Sequence, residues 1–370
     1  MVTTVDILGT PHAYELTPPA RSPVALVFVH GWLLSRKYWQ PLVDCLASDY
    51  QCLSYDLRGF GDSQPLLANL PQPVSAINGS VLPAREQQNL RAIAAPHSLA
   101  TMQPAGENGR YPSESAPRPN REQDASSGRA AVAIAPDPRS RYTPAAYAQD
   151  LVYLLKQLDI QQAWIIGHSL GGSIAFWASY QAPQLIRGVV SVNSGGGIYL
   201  KEEFERFRAA GQQLIKMRPR WLCQIPLLDI MMTRMNVARP LERRWGRQRL
   251  IDLVSAHPEA ALGALLDSTT EQEVHRLPQV VSQMQQPAYF IAGADDDIME
   301  PKYVHHLASF HHLFQCVGEN VIELPSCGHF AMLEQPQMLA DQIRAMLARH
   351  SRSANVQVHD VVSQTELLGP

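Results

Sequence analysis

The chain has 370 residues, 45% apolar and 18% charged, with a formal net charge of −3. This is enough apolar residue for a sizeable core, and too near neutral to suggest a nucleic-acid partner. No run of about twenty apolar residues occurs, which argues against a membrane-spanning helix. The opening residues, Met1 to Asp6, lack a basic stretch leading into an apolar one, so no secretory leader is expected. The five cysteines are scattered and odd in number. They read as reduced thiols of a cytoplasmic compartment.

Residues 3–17 are expected to add antiparallel edge strands. Val24 to His30 (VALVFVH) is a continuous apolar run, the signature of a strand buried on both faces. It ends in His30-Gly31-Trp32, with His30 expected to hold the following loop by hydrogen bonding. Arg58 and Asp62, in DLRGFGDS, are expected to brace a neighbouring loop. From about residue 66 to 139 the chain is rich in Pro, Ala, Ser, Asn and Gln without helical or strand period, and reads as a disordered insertion. Order is expected to resume at Tyr142, with Thr143 as N-cap and Pro144 at the first position of a helix running to about Leu158.

Ala163 to Ile166 reads as a buried strand, Ser173 to Ala178 as a buried helix, and Gly167-His168-Ser169-Leu170-Gly171-Gly172 lies between them. Strand, tight turn and helix are the setting in which G-x-S-x-G acts as a nucleophile elbow. The turn exposes Ser169 above the sheet edge, and side chains at 167 and 171 would collide with their neighbours. The N–H of Leu170 and that of Trp32 could together hold an oxyanion. Residues 195–286 carry apolar residues at helical spacing, with helices expected over 202–217, 221–235, 241–254 and 258–266. This segment is also basic, from Lys216 through Arg218, Arg234 and Arg247 to Arg249. Trp221, Met231 and Met235, with Trp32, are candidates to line an apolar substrate pocket.

Pro287 to Gly293 is a further strand, followed by Asp295, Asp296 and Asp297, any of which could orient a base. Val321 to Leu324 is a short strand, and His329 lies on the loop after it, placed to act as that base. Cys327 is expected to pack. His305, His306, His311 and His312 are not spaced three or four apart, so no metal site is expected from them. Residues 351–370 are expected to form a disordered tail.

The pieces VFVHGW (27–32), YDLRGFGDS (55–63), IIGHSLGG (165–172), FIAGADDDIMEP (290–301) and SCGHFAMLEQPQ (326–337), in this order, resemble the serine α/β-hydrolases. The HGW and GHSLGG pair looks more like the esterase and pheophytinase-like branch than like dehalogenases or epoxide hydrolases, whose nucleophile is Asp. The resemblance implies an α/β fold: a mostly parallel eight-stranded sheet with helices on both faces. Its core would span 1–65, 140–194 and 287–350, and 195–286 would be a helical lid. In the family pattern the acid lies three residues after the strand's glycine, which favours Asp296 over Asp295 and Asp297. The implied activity is hydrolysis of a carboxylic ester of a fairly apolar substrate through an acyl-enzyme. Ser169, Asp296 and His329 would be catalytic, Trp32 and Leu170 would form the oxyanion hole, and no cofactor would be needed. A C–C bond hydrolase or lyase with the same triad, and a non-catalytic ligand receptor on this fold, are the competing readings. The apolar pocket and basic lid together suggest a lipid-like substrate and peripheral contact with an anionic membrane.

Overall fold

A computed structural model describes residues 2–64, 141–196, 201–317 and 320–350. The expected disordered segments, 66–139 and 351–370, lie outside the described residues. Eight strands form one sheet in the order β1-β2-β4-β3-β5-β6-β7-β8. β1 (Thr3–Ile7) and β2 (Thr10–Leu16) form the expected antiparallel edge. The other six run parallel: β3 (Ala25–Val29), β4 (Cys52–Tyr55), β5 (Ala163–His168), β6 (Ile186–Val192), β7 (Ala288–Gly293) and β8 (Val321–Leu324).

Every residue of β3, β4, β5 and β7 is buried, which is why these strands read as unbroken apolar runs rather than alternating ones. Alternate residues still serve opposite faces. Leu26 and Phe28 of β3 join a core cluster with Leu42 of α1 (Gln40–Leu46) and with Leu339 and Ile343 of the closing helix, α12 (residues 336–350). The opposite face is covered by α2 (Pro144–Gln157) and α3 (Leu170–Gln181), which pack on each other and, through α3, on β5 and β6. α2 starts as its sequence dictates: the Thr143 hydroxyl accepts from the Ala146 N–H at 3.1 Å, and Pro144 fills the first turn.

Between β6 and β7 lies the helical insertion: α4 (Lys201–Lys216), α5 (Leu228–Met232), α6 (Arg243–Ser255), α7 (Pro258–Ser268) and α8 (Glu271–Gln283). Two features differ from the sequence expectation. The single helix expected over 221–235 is instead a 3-10 turn, Arg220–Gln224, and the short α5. Pro226 has no N–H to continue a helix, and Leu227 takes a left-handed backbone, φ 65°. α8 was not expected at all. Its N-cap Thr270 accepts from the Glu273 N–H at 3.1 Å, the T-x-x-E arrangement that starts helices, but Pro278 inside it interrupts the pattern. Beyond β7 come α9 (Pro301–Ala308), α10 (His312–Val317) and α11 (Ala331–Glu334). His305 meets Glu323 at 2.7 Å, and buried His311 bonds the Gln286 carbonyl at 3.0 Å, so these two act within the packing of this end. Among the described residues no helix is long and apolar enough to cross a membrane.

The insertion is fastened to the core by a buried carboxyl. Asp252 of α6 accepts from the Ser35 hydroxyl at 2.9 Å and from Gln248 at 2.8 Å. Burial pushes its pKa up to about 7, against the two hydrogen bonds, which pull it down. Because the folded value lies above the ordinary one near 3.8, the native state binds the extra proton between these values. The stabilisation from that proton is full at low pH and is lost as pH rises through about 7. Asp252→Asn should therefore flatten the fall in stability between pH 5 and pH 8, as read by urea unfolding at both values. An unchanged slope would remove Asp252 as its source.

Candidate active site

The C-terminal ends of β3, β5, β6, β7 and β8 converge at one rim, and Trp32, Ser169, Leu170, Asp296 and His329 lie there. Ser169 ends β5 and starts α3 with φ 51° and ψ −119°, a backbone that side-chain-bearing residues avoid. The flanking glycines explain how the turn closes. A Cβ on Gly167 would stand 2.2 Å from the Gly171 carbonyl oxygen, and one on Gly171 would stand 2.2 Å from that of Val29. Helix, turn and strand β3 therefore meet at backbone contact, and Ser169 is forced outward, half-buried, into a pocket.

Asp296 is the aspartate that turns inward; Asp295 and Asp297 are exposed. Its Oδ1 accepts from the N–H groups of Ile298 and Met299, each at 2.9 Å. Its Oδ2 accepts from His329 Nδ1 and from Asn193 Nδ2, each at 2.8 Å. Burial by itself would raise the carboxyl pKa. The His329 charge and these donors outweigh it and hold the pKa below the ordinary value. A carboxylate can only accept, so the His329 proton sits on Nδ1 and the Nε2 lone pair is left free. Among the described residues no hydrogen bond joins the Ser169 hydroxyl to His329. Such contacts tighten when substrate enters.

Buried His168 sits behind the pair. Its Nε2–H donates to the His329 carbonyl at 2.7 Å, and the two rings lie 4.8 Å apart, edge to face. Burial, reinforced by the His329 charge, drops its pKa to about 3, so it stays neutral. His30 has the structural task expected of it. Its Nε2 accepts from the Leu57 N–H at 2.9 Å and its Nδ1–H donates to the Gly31 carbonyl at 2.8 Å. That fixes the turn carrying Trp32, whose indole N–H donates to the Ala261 carbonyl at 2.8 Å. Neither the Trp32 nor the Leu170 backbone N–H finds an acceptor among the described residues. Below this turn, buried Asp56 pairs with Arg36, and Arg36 meets Asp62 at 2.8 Å, so Asp62 braces the loop. Arg58 likewise pairs with Asp150 at 3.4 Å. Cys327 is fully buried, and burial pushes its thiol pKa up, so it stays protonated.

The pocket beside Ser169 has a volume of about 90 Å³ and opens to solvent. Trp32, Phe207, Leu265, Ile298 and Met299 supply its apolar wall, with Ser173, Ser194 and Thr269 adding hydroxyls. Trp221, Met231 and Met235, expected at the pocket, do not line it. They are exposed on the insertion, because the break at Pro226 and Leu227 prevents one continuous amphipathic helix from reaching the site. α4 and α7 supply Phe207 and Leu265 in their place.

Two residues of this site went unread in the sequence. Asn193, at the end of β6, has a left-handed backbone, φ 50°, and bonds both Asp296 and the Gly328 carbonyl. An asparagine directly after a buried parallel strand is the available signal, since Asn tolerates that backbone better than most residues. Asn236, in the insertion, accepts the His329 N–H on its carbonyl at 2.9 Å. Arg249 of α6 holds this strap in place. It donates to the Met232 and Met235 carbonyls, each at 2.7 Å, and lies over the Phe330 ring at 4.5 Å.

The family model for the alpha/beta hydrolase fold matches residues 24–222. The chain belongs to the α/β-hydrolase family. An uncharacterized protein of Mycobacterium tuberculosis is 48% identical over 59 residues, 16% of this chain and 17% of that protein. The chain thus matches only about a sixth of that relative's length. An uncharacterized hydrolase of Bacillus subtilis is 25% identical over 209 residues, 55% of this chain and 71% of that one. A thermophilic esterase of Thermogutta terrifontis, solved with malate bound, shares the fold. Its TM-score is 0.58 at 18% identity, covering 94% of this chain and 97% of that one.

Two substitutions test this geometry. Gly171→Ala must push a methyl group into the Val29 carbonyl, and should cost about 3 kcal/mol of stability in urea unfolding. Arg249→Met leaves two carbonyls without their donor and should cost about 2 kcal/mol. If the strap steadies His329, the Arg249 variant also lowers kcat on any turned-over substrate more than it raises KM.

Proposed function

We propose that the protein is a serine hydrolase that cleaves carboxylic esters through an acyl-enzyme. The observation that carries this is the pairing of the strained, outward Ser169 with a His329 whose Nδ1–H is committed to Asp296. In this reading Ser169 Oγ attacks the ester carbonyl carbon while His329 Nε2 takes its proton. The N–H groups of Trp32 and Leu170 receive the charge that develops on the carbonyl oxygen. His329, now cationic and stabilised by Asp296, gives its proton to the departing alcohol. Water, deprotonated by His329, then releases the acid and restores Ser169. None of these steps calls for a metal or an organic cofactor.

The pocket supports a particular substrate shape. A cavity of about 90 Å³ is smaller than the roughly 150 Å³ that holds a benzene ring. It suits an acyl group of a few carbons better than a long chain, whatever the alcohol. The helical insertion, which contributes Phe207 and Leu265 to the wall, is read as the lid that keeps bulk water from the acyl-enzyme. The names of the Bacillus hydrolase and the Thermogutta esterase agree with a hydrolytic reaction on this fold.

Ser169→Ala should lower ester turnover by a factor of about 10⁴ or more with unfolding unchanged. Asp296→Asn should lower kcat by about 10⁴, because the imidazole then loses its orienting acceptor. A p-nitrophenyl series should favour acetate and butyrate over palmitate. Full turnover by Ser169→Ala would refute the nucleophile, and labelling of Ser169 by a fluorophosphonate without repeated turnover would favour a ligand receptor.

A further inference from the structure

The outer surface of the insertion reverses the usual distribution of apolar residues. Eight of the fifteen large apolar side chains exposed among the described residues fall within residues 214–235. The most exposed are Met217 at 70%, Leu227 at 64%, Trp221 at 58% and Met231 at 53%. Neither the 3-10 turn Arg220–Gln224 nor α5 contains a single buried residue, although their sequences are RWLCQ and LDIMM. Both elements pack against α6, whose Gly246 lies so close that a Cβ there would overlap the Asp229 carbonyl oxygen. They form a shelf held from beneath with its apolar side chains outward. Exposed apolar residues concentrated in this way mark a contact surface, whereas single scattered ones do not.

Charge identifies the occupant. Residues 216–247 hold eight Lys and Arg against two carboxylates, a local net charge of +6 in a chain whose total is −3. Asp229 is tied to Arg243 at 2.6 Å and Glu242 to Arg244 at 3.0 Å. Arg218 turns inward to the Leu253 carbonyl at 2.6 Å and so contributes nothing outside. Lys216, Arg220, Arg234, Arg239 and Arg247 remain exposed, and no acidic partner for them occurs among the described residues. A second copy of the same face would set these five cations against another five. A nucleic acid would satisfy the cations and leave Met217 and Leu227 in water. An anionic lipid surface satisfies both, since headgroups take the cations while Trp, Leu and Met enter the acyl boundary.

We infer that the shelf formed by residues 214–235 docks the protein peripherally on an anionic bilayer. This binding stands independently of the reaction at Ser169 and needs no turnover. The full-length chain is floated with vesicles of phosphatidylcholine alone and of phosphatidylcholine with phosphatidylglycerol. Binding to the anionic vesicles should exceed binding to the neutral ones by about ten-fold, and raising the salt should erode that preference. The double variant Met217→Asp/Leu227→Asp should lose about ten-fold in binding to the anionic vesicles. Arg220→Glu/Arg234→Glu/Arg247→Glu should abolish the preference between compositions. Melting temperature and elution volume are followed in parallel to show that each variant folds. Equal binding to both vesicle types, binding to neither, or an unchanged Met217/Leu227 variant would overturn the inference. So would a parent dimer that dissociates in that variant, which would assign the shelf to a second copy.

Discussion

The turn at Ser169 is the constraint from which the rest of the site follows. Holding a residue with a side chain at φ 51° costs about 1–3 kcal/mol, and such a backbone persists only where the surroundings enforce it. Here the enforcement is steric. Without side chains at 167 and 171, α3 descends until its first turn touches the β5 backbone and the end of β3. The chain then has nowhere to put residue 169 but outward. The same reversal sends His168 the other way, into the core, where it supports the His329 carbonyl. It also leaves the Leu170 N–H at the start of a helix, where no intrahelical acceptor exists. One strained dihedral thus sets three neighbouring groups.

The second half of the site is electrostatic. A buried carboxylate is costly unless its lone pairs are met. Asp296 meets that demand with four donors drawn from three segments: its own loop, the end of β6 through Asn193, and the loop after β8 through His329. Because these segments are the ends of adjacent parallel strands, the sheet itself sets their spacing. Without the Asn193 amide, three donors would still meet the carboxylate, His329 among them. The Asn193 amide at the end of β6 thus works on the aspartate after β7.

The sequence revealed what depends on local pattern. The turn at Ser169, the flanking glycines, the buried strands and the Thr143 cap are encoded within a few residues of where they act, whereas the eight-stranded arrangement was legible only through the family resemblance. Choosing Asp296 among three aspartates needed the family spacing, and the structure separates them by burial. The pocket wall was not legible. Trp221, Met231 and Met235 have the right chemistry, but whether they reach the site depends on a backbone break at Pro226 and Leu227 whose direction no periodicity reports. Asn193 and Asn236 were invisible for another reason. Their contributions, an amide in one case and a carbonyl in the other, acquire meaning only once β6 and the insertion lie against the β8 loop. α8, capped by Thr270 and carrying Pro278 inside it, was not among the helices expected from the sequence.

The insertion joins the core through two kinds of contact. Its inward face uses Trp245, Leu250 and Leu253 for packing, but its specific links to the site are polar. Asp252 meets Ser35, Arg249 meets two carbonyls, and the Asn236 carbonyl meets the His329 N–H. A hydrogen bond exchanged for water changes the free energy by only about 1 kcal/mol, whereas exposing an apolar contact of the same extent costs more. The apolar packing of Trp245, Leu250 and Leu253 thus holds the insertion on the core, and the polar links, each of which needs one partner at one angle, set its orientation beside His329.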